Sequence, residues 1–416
     1  MLYFRNSRNP LHFNPAVFQQ WNEPTMIIKP RIRGFICTTA HPIGCAALVK
    51  EQIHYTTQQG SIAQPPRNVL VVGGSGGYGL ASRIVAGFGA GAKTICLSFE
   101  KEPEGDRTAS AGWYNNLAFD RAAAARGLYA KSVSADAFAD ATKRTIADLV
   151  RADLGKIDLL VYSLASPVRT DPDSSLTYRS SIKPIGAPVH TKTLNVDKGI
   201  VHEVDLAPAT EEEIAATIKV MGGEDWERWI GFLKDENLLA ENFHTVSYTY
   251  IGTEITWPIY WDATLGKAKE DLDRAATAIR ELIAPLHGDA RVAVLKAVVT
   301  QASTAIPVVP LYASILFKVM KEMGLHEDCI RQIDRLFRTQ LYGGGPLNLD
   351  DVGRIRLDDW ELRADVQAQV RKRWADITTE NVFELSDLQG FRSDFLKIFG
   401  FEAAGVDYDA DVDPQG

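Results

Sequence analysis

Short apolar, β-branched runs alternate with amphipathic stretches over the first part of the chain. Arg67 to Val72 (RNVLVV), Lys93 to Phe99 (KTICLSF), Leu128 to Val133 and Ile157 to Ala165 (IDLLVYSLA) read as four buried parallel strands. Between them, Ile84, Val85 and Phe88 fall at helical spacing, and Ala137 to Leu154 is an amphipathic helix. The alternation predicts an α/β fold built on a doubly wound, mostly parallel Rossmann sheet.

The periodicity changes from Arg169 to Pro208, where proline, glycine and β-branched residues predict a β-hairpin insertion. Thr210 with Glu213 three positions later forms a capping box that opens a helix, and Asp225 to Leu239 reads as the next helix. A fifth strand is expected over His244 to Ile251, a long helix over Leu265 to Leu286, and a sixth strand over Arg291 to Thr300. From Ile306 onward the pattern is mostly helical. Upstream, IIKPRIRGF reads as a short strand after Met26, and Pro42 to Gln52 as a helix. The expected organisation is one domain over 26–416, preceded by an N-terminal extension at 1–25, from an upstream start or as a loose arm, that lacks the apolar core of a signal peptide. Within that domain lie a Rossmann core at about 67–168 and 243–310, an insertion or lid at 169–242, and C-terminal helices at 311–416 that extend a helical, substrate-covering region.

Composition narrows the function without choosing it. A formal charge of −8 over 416 residues argues against nonspecific nucleic-acid binding, although it permits a local pocket for one phosphorylated ligand. No apolar run approaches the length of about 18 residues that a spanning helix needs. The four cysteines (Cys37, Cys45, Cys96, Cys329) show neither a CxxC spacing nor a ligand cluster, so they read as buried thiols in a reducing, cytoplasmic setting with no metal.

The candidate chemistry begins at GGSGGYG, directly after the first strand. A strand, a glycine turn and a helix N-terminus together make a phosphate site, because free N–H groups and the helix dipole favour a pyrophosphate. Two registers fit: Gly74, Gly76 and Gly79 give GxGxxG, while Gly73, Gly77 and Gly79 give the GxxxGxG of short-chain reductases. Glu100 ends the second strand, where a carboxylate accepts from the adenosine ribose hydroxyls and repels a 2′-phosphate, predicting NADH over NADPH. Downstream, SYTYIGTEITWPIYWDATLGKAK carries Tyr250 and Tyr260, then Lys267 and Lys269. A phenol aided by a nearby ammonium is a good donor to a developing oxyanion. At about 100° per residue, Lys267 shares the face of Tyr260 on a continuous helix, whereas Lys269 falls opposite. If Lys269 is the partner, the chain must change direction between Tyr260 and Gly266, with Thr264 as a candidate cap. Aromatic packing with two solvated lysines is the competing reading of this stretch taken alone.

These residues resemble a known family. PRIRGFICTTAHPIGC, GGSGGYGLASR, TASAGWYNNLAFD, DLLVYSLASPVR, MGGEDWERWI, YIGTEITWPIYWDATLGKAK, VVTQASTAIPVVPLY and FGFEAAGVDYDADV are similar to the FabV-type trans-2-enoyl-ACP/CoA reductases, from about Met26 to the C-terminus. The resemblance implies NADH-dependent reduction of trans-2-enoyl thioesters, carried on acyl-carrier protein or coenzyme A, in fatty acid biosynthesis by a monomer. The family's tyrosine and lysine, separated by eight residues, map to Tyr260 as proton donor or enolate stabiliser and Lys269 as the residue holding the cofactor ribose. Tyr250 matches a substrate-contacting tyrosine. Gly73, Gly74, Ser75, Gly76, Gly77, Tyr78, Phe99, Glu100, Asp136, Ala137, Leu164, Ala165, Val298, Val299 and Thr300 match dinucleotide contacts. The family loop commonly reads GASTGYG; Gly74 and Gly76 depart from it, which favours the GxxxGxG register. A ketoacyl or other carbonyl reductase, and a dinucleotide sensor without turnover, are the competing functions.

Overall fold

The computed structural model describes residues 25–34 and 36–416. The expected N-terminal arm, save for Thr25, lies outside the described residues. Seven strands form the central sheet: β1 Asn68–Val72, β2 Lys93–Ser98, β3 Ala130–Ser134, β4 Ile157–Tyr162, β5 Leu239–Thr249, β6 Asp289–Val294 and β7 Ile355–Arg356. Their order is β3-β2-β1-β4-β5-β6-β7, and every neighbouring pair is parallel. The strand order reverses between β1 and β4, the place where open α/β sheets bind ligands beyond the strand ends.

Burial on both faces explains why the strands read as continuous apolar runs. Leu70, Val72, Ile95, Leu97 and Leu160 pack beneath Trp226, Trp229, Ile279 and Ile283. Their alternating neighbours Val69, Val71, Leu159 and Val161 face Leu80, Ile84, Phe119 and Phe337 on the other side. The two-residue period of a strand sends successive side chains into separate cores.

Several boundaries differ from the sequence expectation. The first helix runs over Pro42–Gln58, longer than its apolar pattern, with His41 Nδ1 accepting from the Gly44 N–H. The stretch before it is a minimal hairpin, Ile32–Arg33 against Ile36–Cys37, because Gly34 turns the chain at φ 61°. The sixth strand stops at Val294, leaving 295–300 as a loop. β7 is too short for a periodicity signal. The sheet is fully parallel, as the fold class anticipates for its core.

The insertion contains two hairpins where one was expected: Val168–Thr170 with Thr177–Arg179, and Val189–Asn195 with Ile200–Leu206. Thr210 and Glu213 do form a reciprocal capping box on the helix Glu211–Met221. Lys192, on the second hairpin, donates to the carbonyls of Trp374 and Ala375 at 3.1 Å each, near the end of the helix Ala364–Asp376. Cations favour that position because terminal helical carbonyls lack partners. The helix Glu224–Asp235 is tied to the helix Asp140–Leu149 by a buried ion pair between Lys143 and Asp225 at 2.8 Å, and to the sheet by Tyr162, which donates to the same carboxylate.

Among the described residues no helix is long and apolar enough to cross a membrane, and no group of His, Cys, Asp and Glu has the arrangement of a metal site.

Candidate active site

The glycine turn joins β1 to the helix Gly77–Ile84. Gly73 sits at φ 85°, where a Cβ would come within 2.4 Å of the Ser163 carbonyl oxygen. A Cβ at Gly79 would lie 2.0 Å from the Gly73 carbonyl oxygen, so the helix can approach the strand only without a side chain there. Gly77 lies at φ 51°. A Cβ at Gly76 would meet nothing within 4 Å, and Gly76 has an extended φ of −157°. The conformational requirement therefore falls on Gly73, Gly77 and Gly79, the GxxxGxG register, while Gly76 keeps open the space before the helix N-terminus. This cradle fits a pyrophosphate. A Cβ at Gly74 would press on Cys96 and Val71, which explains a glycine there through packing.

Glu100 lies at the end of β2, beside this turn. Its carboxylate accepts from Ser75 Oγ at 2.5 Å and from the Ser110 hydroxyl. Gly112 passes directly beneath, where a Cβ would sit 2.2 Å from Glu100 Oε1. Ser110 and Gly112 escape sequence reasoning because they belong to no strand-end pattern; TASAGW gives only a helix start. Phe99 is 80% exposed, a large apolar face open beside Glu100.

The remaining strand-end loops converge on the same rim. Ala137 is buried, and its carbonyl accepts from Lys143 Nζ at 3.0 Å and Trp229 Nε1 at 3.2 Å. Asp136 is exposed and uses one carboxylate oxygen to accept from the Phe138 N–H. Leu164 and Ala165 follow β4, next to Gly73. Val298, Val299 and Thr300 follow β6, and the Thr300 methyl lies 3.4 Å from where a Gly77 Cβ would be. Ser303 Oγ ties this loop by donating to the Val298 carbonyl and accepting from the Thr300 N–H. Tyr78 is the exception among the predicted contacts. Its hydroxyl donates to the Lys296 carbonyl at 2.9 Å, so its side chain points into the protein and only its backbone borders the turn.

The tyrosines meet where β5 ends. Tyr250 stands one residue past the strand, and its ring meets that of Tyr260 edge-on at 5.1 Å. Trp257–Ile259 form a single 3-10 turn, Tyr260 follows at φ −123° and ψ −74°, and the helix Thr264–Ile283 starts afresh. The break required for a Tyr260–Lys269 pairing is thus present. Gly266 permits it, since a Cβ there would lie 1.7 Å from the Trp261 carbonyl oxygen. The cap differs from the expectation: Ala263 occupies the N-cap position, and the Thr264 hydroxyl instead donates to the Ser181 carbonyl. Lys267 is exposed and pairs with Glu270 at 2.8 Å. Lys269 is half-buried, and burial lowers its ammonium to about 8 against an opposing pull from Asp273. Tyr260 is 7% exposed, and burial alone raises its phenol. The Tyr250 hydroxyl donates to Glu361 at 3.0 Å, a partner 111 positions away that no local pattern announces.

This arrangement sets a glycine turn that fits a dinucleotide and a buried phenol beyond the strand ends of a parallel sheet, with a half-buried lysine in the helix that follows the phenol. The comparisons agree with it. Residues 27–105 match the NAD(P)H binding domain of trans-2-enoyl-CoA reductase, and 107–342 match the trans-2-enoyl-CoA reductase catalytic region. An enoyl-[acyl-carrier-protein] reductase [NADH] FabV of Aeromonas salmonicida is 57% identical over 94% of this chain and 98% of its own length. An enoyl-[acyl-carrier-protein] reductase [NADH] 1 of Vibrio cholerae is 55% identical over 94% and 98%. The crystal structure of Treponema denticola trans-2-enoyl-CoA reductase in complex with NAD superposes with a TM-score of 0.90 at 48% identity, covering 93% of this chain and 98% of that one.

Residues 349–412 match an enoyl reductase FAD binding domain, but the side chains there do not fit a flavin. β7 leads to the helix Ala364–Asp376 without a glycine turn. The buried carboxylates of the segment are already engaged, Asp358 by Arg356 and Glu361 by Tyr250, Tyr312 and the Ala297 N–H. From these matches, spanning nearly its whole length, the chain belongs to the family of FabV-type, NADH-dependent enoyl-[acyl-carrier-protein] and trans-2-enoyl-CoA reductases.

Proposed function

We propose that this chain reduces the trans-2 double bond of enoyl thioesters with NADH, giving saturated acyl thioesters in fatty acid synthesis, and that Tyr260 and Lys269 carry the step. The observation that supports this reading is the buried phenol of Tyr260, edge-on to Tyr250, with a break in the chain before the helix of Lys269. The nicotinamide, when bound, supplies the hydride that reaches the β-carbon. Negative charge then develops on the thioester oxygen, Tyr260 donates a hydrogen bond to it, and the proton it gives up ends on the α-carbon, completing the saturated thioester. Low accessibility strengthens that hydrogen bond, because little water competes for it. Lys269 holds the ribose hydroxyls of the cofactor and, as a cation, favours charge build-up near the phenol. Tyr250 borders the substrate.

Gly73, Gly74, Ser75, Gly76, Gly77 and the Tyr78 backbone cradle the pyrophosphate. Phe99, Glu100, Asp136 and Ala137 take the adenosine end, and Leu164, Ala165 and Val298 to Thr300 the nicotinamide end. Glu100 sets the preference for NADH. The Ser75 and Ser110 hydroxyls aim its carboxylate at the rim, where a 2′-phosphate would meet a like charge. Glu100→Ala should narrow the NADH-over-NADPH ratio of kcat/KM by about tenfold or more, and an unchanged ratio would remove Glu100 from that role.

The substrate class is the thioester of a phosphopantetheine arm, common to acyl-carrier protein and coenzyme A. The chain acts as a monomer in this reading, as its family resemblance implies. The cytoplasm suits its four unpaired cysteines. Steady-state assays with crotonyl-CoA, longer enoyl-CoA, enoyl-ACP and a ketoacyl thioester, each with NADH and NADPH, test the reading. Oxidation of NADH by the enoyl substrates is expected. Consumption with the ketoacyl thioester alone would make the chain a carbonyl reductase, and binding of NADH without turnover would make it a sensor.

A further inference from the structure

The Tyr250 hydroxyl does not point to an open pocket. It donates to Oε1 of Glu361, a carboxylate that is 0% exposed and arrives from the C-terminal part of the chain. The same oxygen accepts from the Tyr312 hydroxyl at 2.7 Å, and Oε2 accepts from the Ala297 N–H at 2.7 Å. Tyr312 in turn accepts from Gln367 Nε2 at 3.2 Å, so its own hydrogen is directed to Glu361. Three donors converge on one carboxylate. An ionised carboxylate has no hydrogen to offer, so each hydroxyl on it must donate its own. Burial raises the Glu361 carboxyl, with Asp358 adding to it, while the Ala297 N–H, the Lys296 charge and the Tyr312 hydroxyl oppose that rise.

We propose that Glu361 is a positioning residue that commits the Tyr250 proton, leaving Tyr260 as the phenol free to donate to the thioester oxygen. The inference rests on the reading of Tyr260 as donor given above. Tyr250 then faces the substrate with a ring edge and lone pairs, held at 5.1 Å and edge-on to Tyr260. The Tyr260 hydroxyl has no hydrogen-bond partner among the described residues and keeps its hydrogen for the substrate. Through the Ala297 N–H, the same carboxylate also anchors the loop that continues to Val298–Thr300. Residues 349–412 thereby gain a role in the reductase site that needs no flavin.

A double-mutant cycle tests this. Turnover of crotonyl-CoA is measured at saturating NADH for wild type, Glu361→Leu, Tyr250→Phe and the pair, with NADH affinity and melting recorded for each. In wild type, Glu361→Leu is expected to lower kcat/KM about tenfold, mostly through KM, because the Tyr250 hydroxyl loses its acceptor. In the Tyr250→Phe background the same change should cost less than about threefold, because no hydroxyl remains to be held. Tyr250→Phe alone should raise KM and lower kcat far less than Tyr260→Phe does.

An equal fold-loss in both backgrounds would overturn the proposal, since the effect would then pass through Tyr312 or Ala297. A kcat loss in Tyr250→Phe as large as that in Tyr260→Phe would overturn it as well, and that comparison needs no folded Glu361 variant. Absence of wild-type turnover with any enoyl thioester would instead contradict the reading on which the proposal rests.

Discussion

Lys269, proposed above to hold the cofactor ribose, would serve function at a cost to stability. Its ammonium is half-buried with no ion-pair partner at bonding distance among the described residues, and burial lowers it to about 8. The unfolded value is about 10.4. Below pH 8 both states hold the proton, and the folded state carries the full burden of the buried charge. As pH rises from 8 towards 10.4, the unfolded chain binds more protons than the folded one, so this residue's contribution to stability improves. Lys269→Met should therefore melt higher than wild type at pH 7, with the advantage shrinking above pH 8, while NADH-dependent turnover falls. Melting curves across pH check this, and an advantage independent of pH would show that the charge is not the cause. The activity should follow the opposite course: kcat/KM falls as pH rises through about 8 and the ammonium is lost. At this scale the sequence was partly legible. The tyrosines and lysines of 247–269 stood out as a group and the family resemblance selected Lys269 among them, whereas Ser110, Gly112 and Glu361 are contacts made by tertiary folding and have no local signature.

Elements decide whether those side chains meet. The turn from Tyr260 to Gly266 closes because the Gly266 N–H reaches the Tyr260 carbonyl at 2.8 Å, with the Trp261 carbonyl pressed against the Gly266 Cα. Gly266→Ala should cost stability by about 1–3 kcal/mol through overpacking and lower kcat at least tenfold by displacing Tyr260 relative to Lys269. Denaturant unfolding and single-turnover rates would read both, and full activity would show that the break tolerates a methyl group. Helical periodicity alone favoured Lys267, because it assumes a continuous helix. What breaks the helix is a steric fit between Trp261 and Gly266, together with the bonds of Thr264 to the Ser181 and Lys183 backbone from the insertion. Neither is visible in a window of neighbouring residues. Strands β1, β2 and β4 were legible because burial on both faces demands continuous apolar runs. β7, two residues long, offered nothing to read.

Across the whole molecule, the insertion and the C-terminal helices are coupled to the cofactor rim by buried charges. Lys143 and Asp225 are each 2% exposed at the side chain, and Lys143 also donates to the Ala137 and Phe138 carbonyls. Removing Asp225 strands that ammonium. Asp225→Ala should cost about 3–5 kcal/mol in denaturant unfolding, and it should weaken NADH binding by loosening the 136–138 turn. A loss below 1 kcal/mol would mean that the lysine finds another partner. The doubly wound sheet and the helical region were legible from the alternation of patterns, but how the C-terminal segment reaches Tyr250 was not, since that contact spans 111 positions.

The central claim is that Tyr260 donates to the thioester oxygen while the rest of the site holds NADH. Its most direct test is rapid-mixing measurement of NADH oxidation by Tyr260→Phe with crotonyl-CoA, alongside the NADH dissociation constant. The account predicts a fall in rate of about 10²–10³ with NADH affinity within about twofold of wild type. Oxidation of NADH by Tyr260→Phe at the wild-type rate would contradict it.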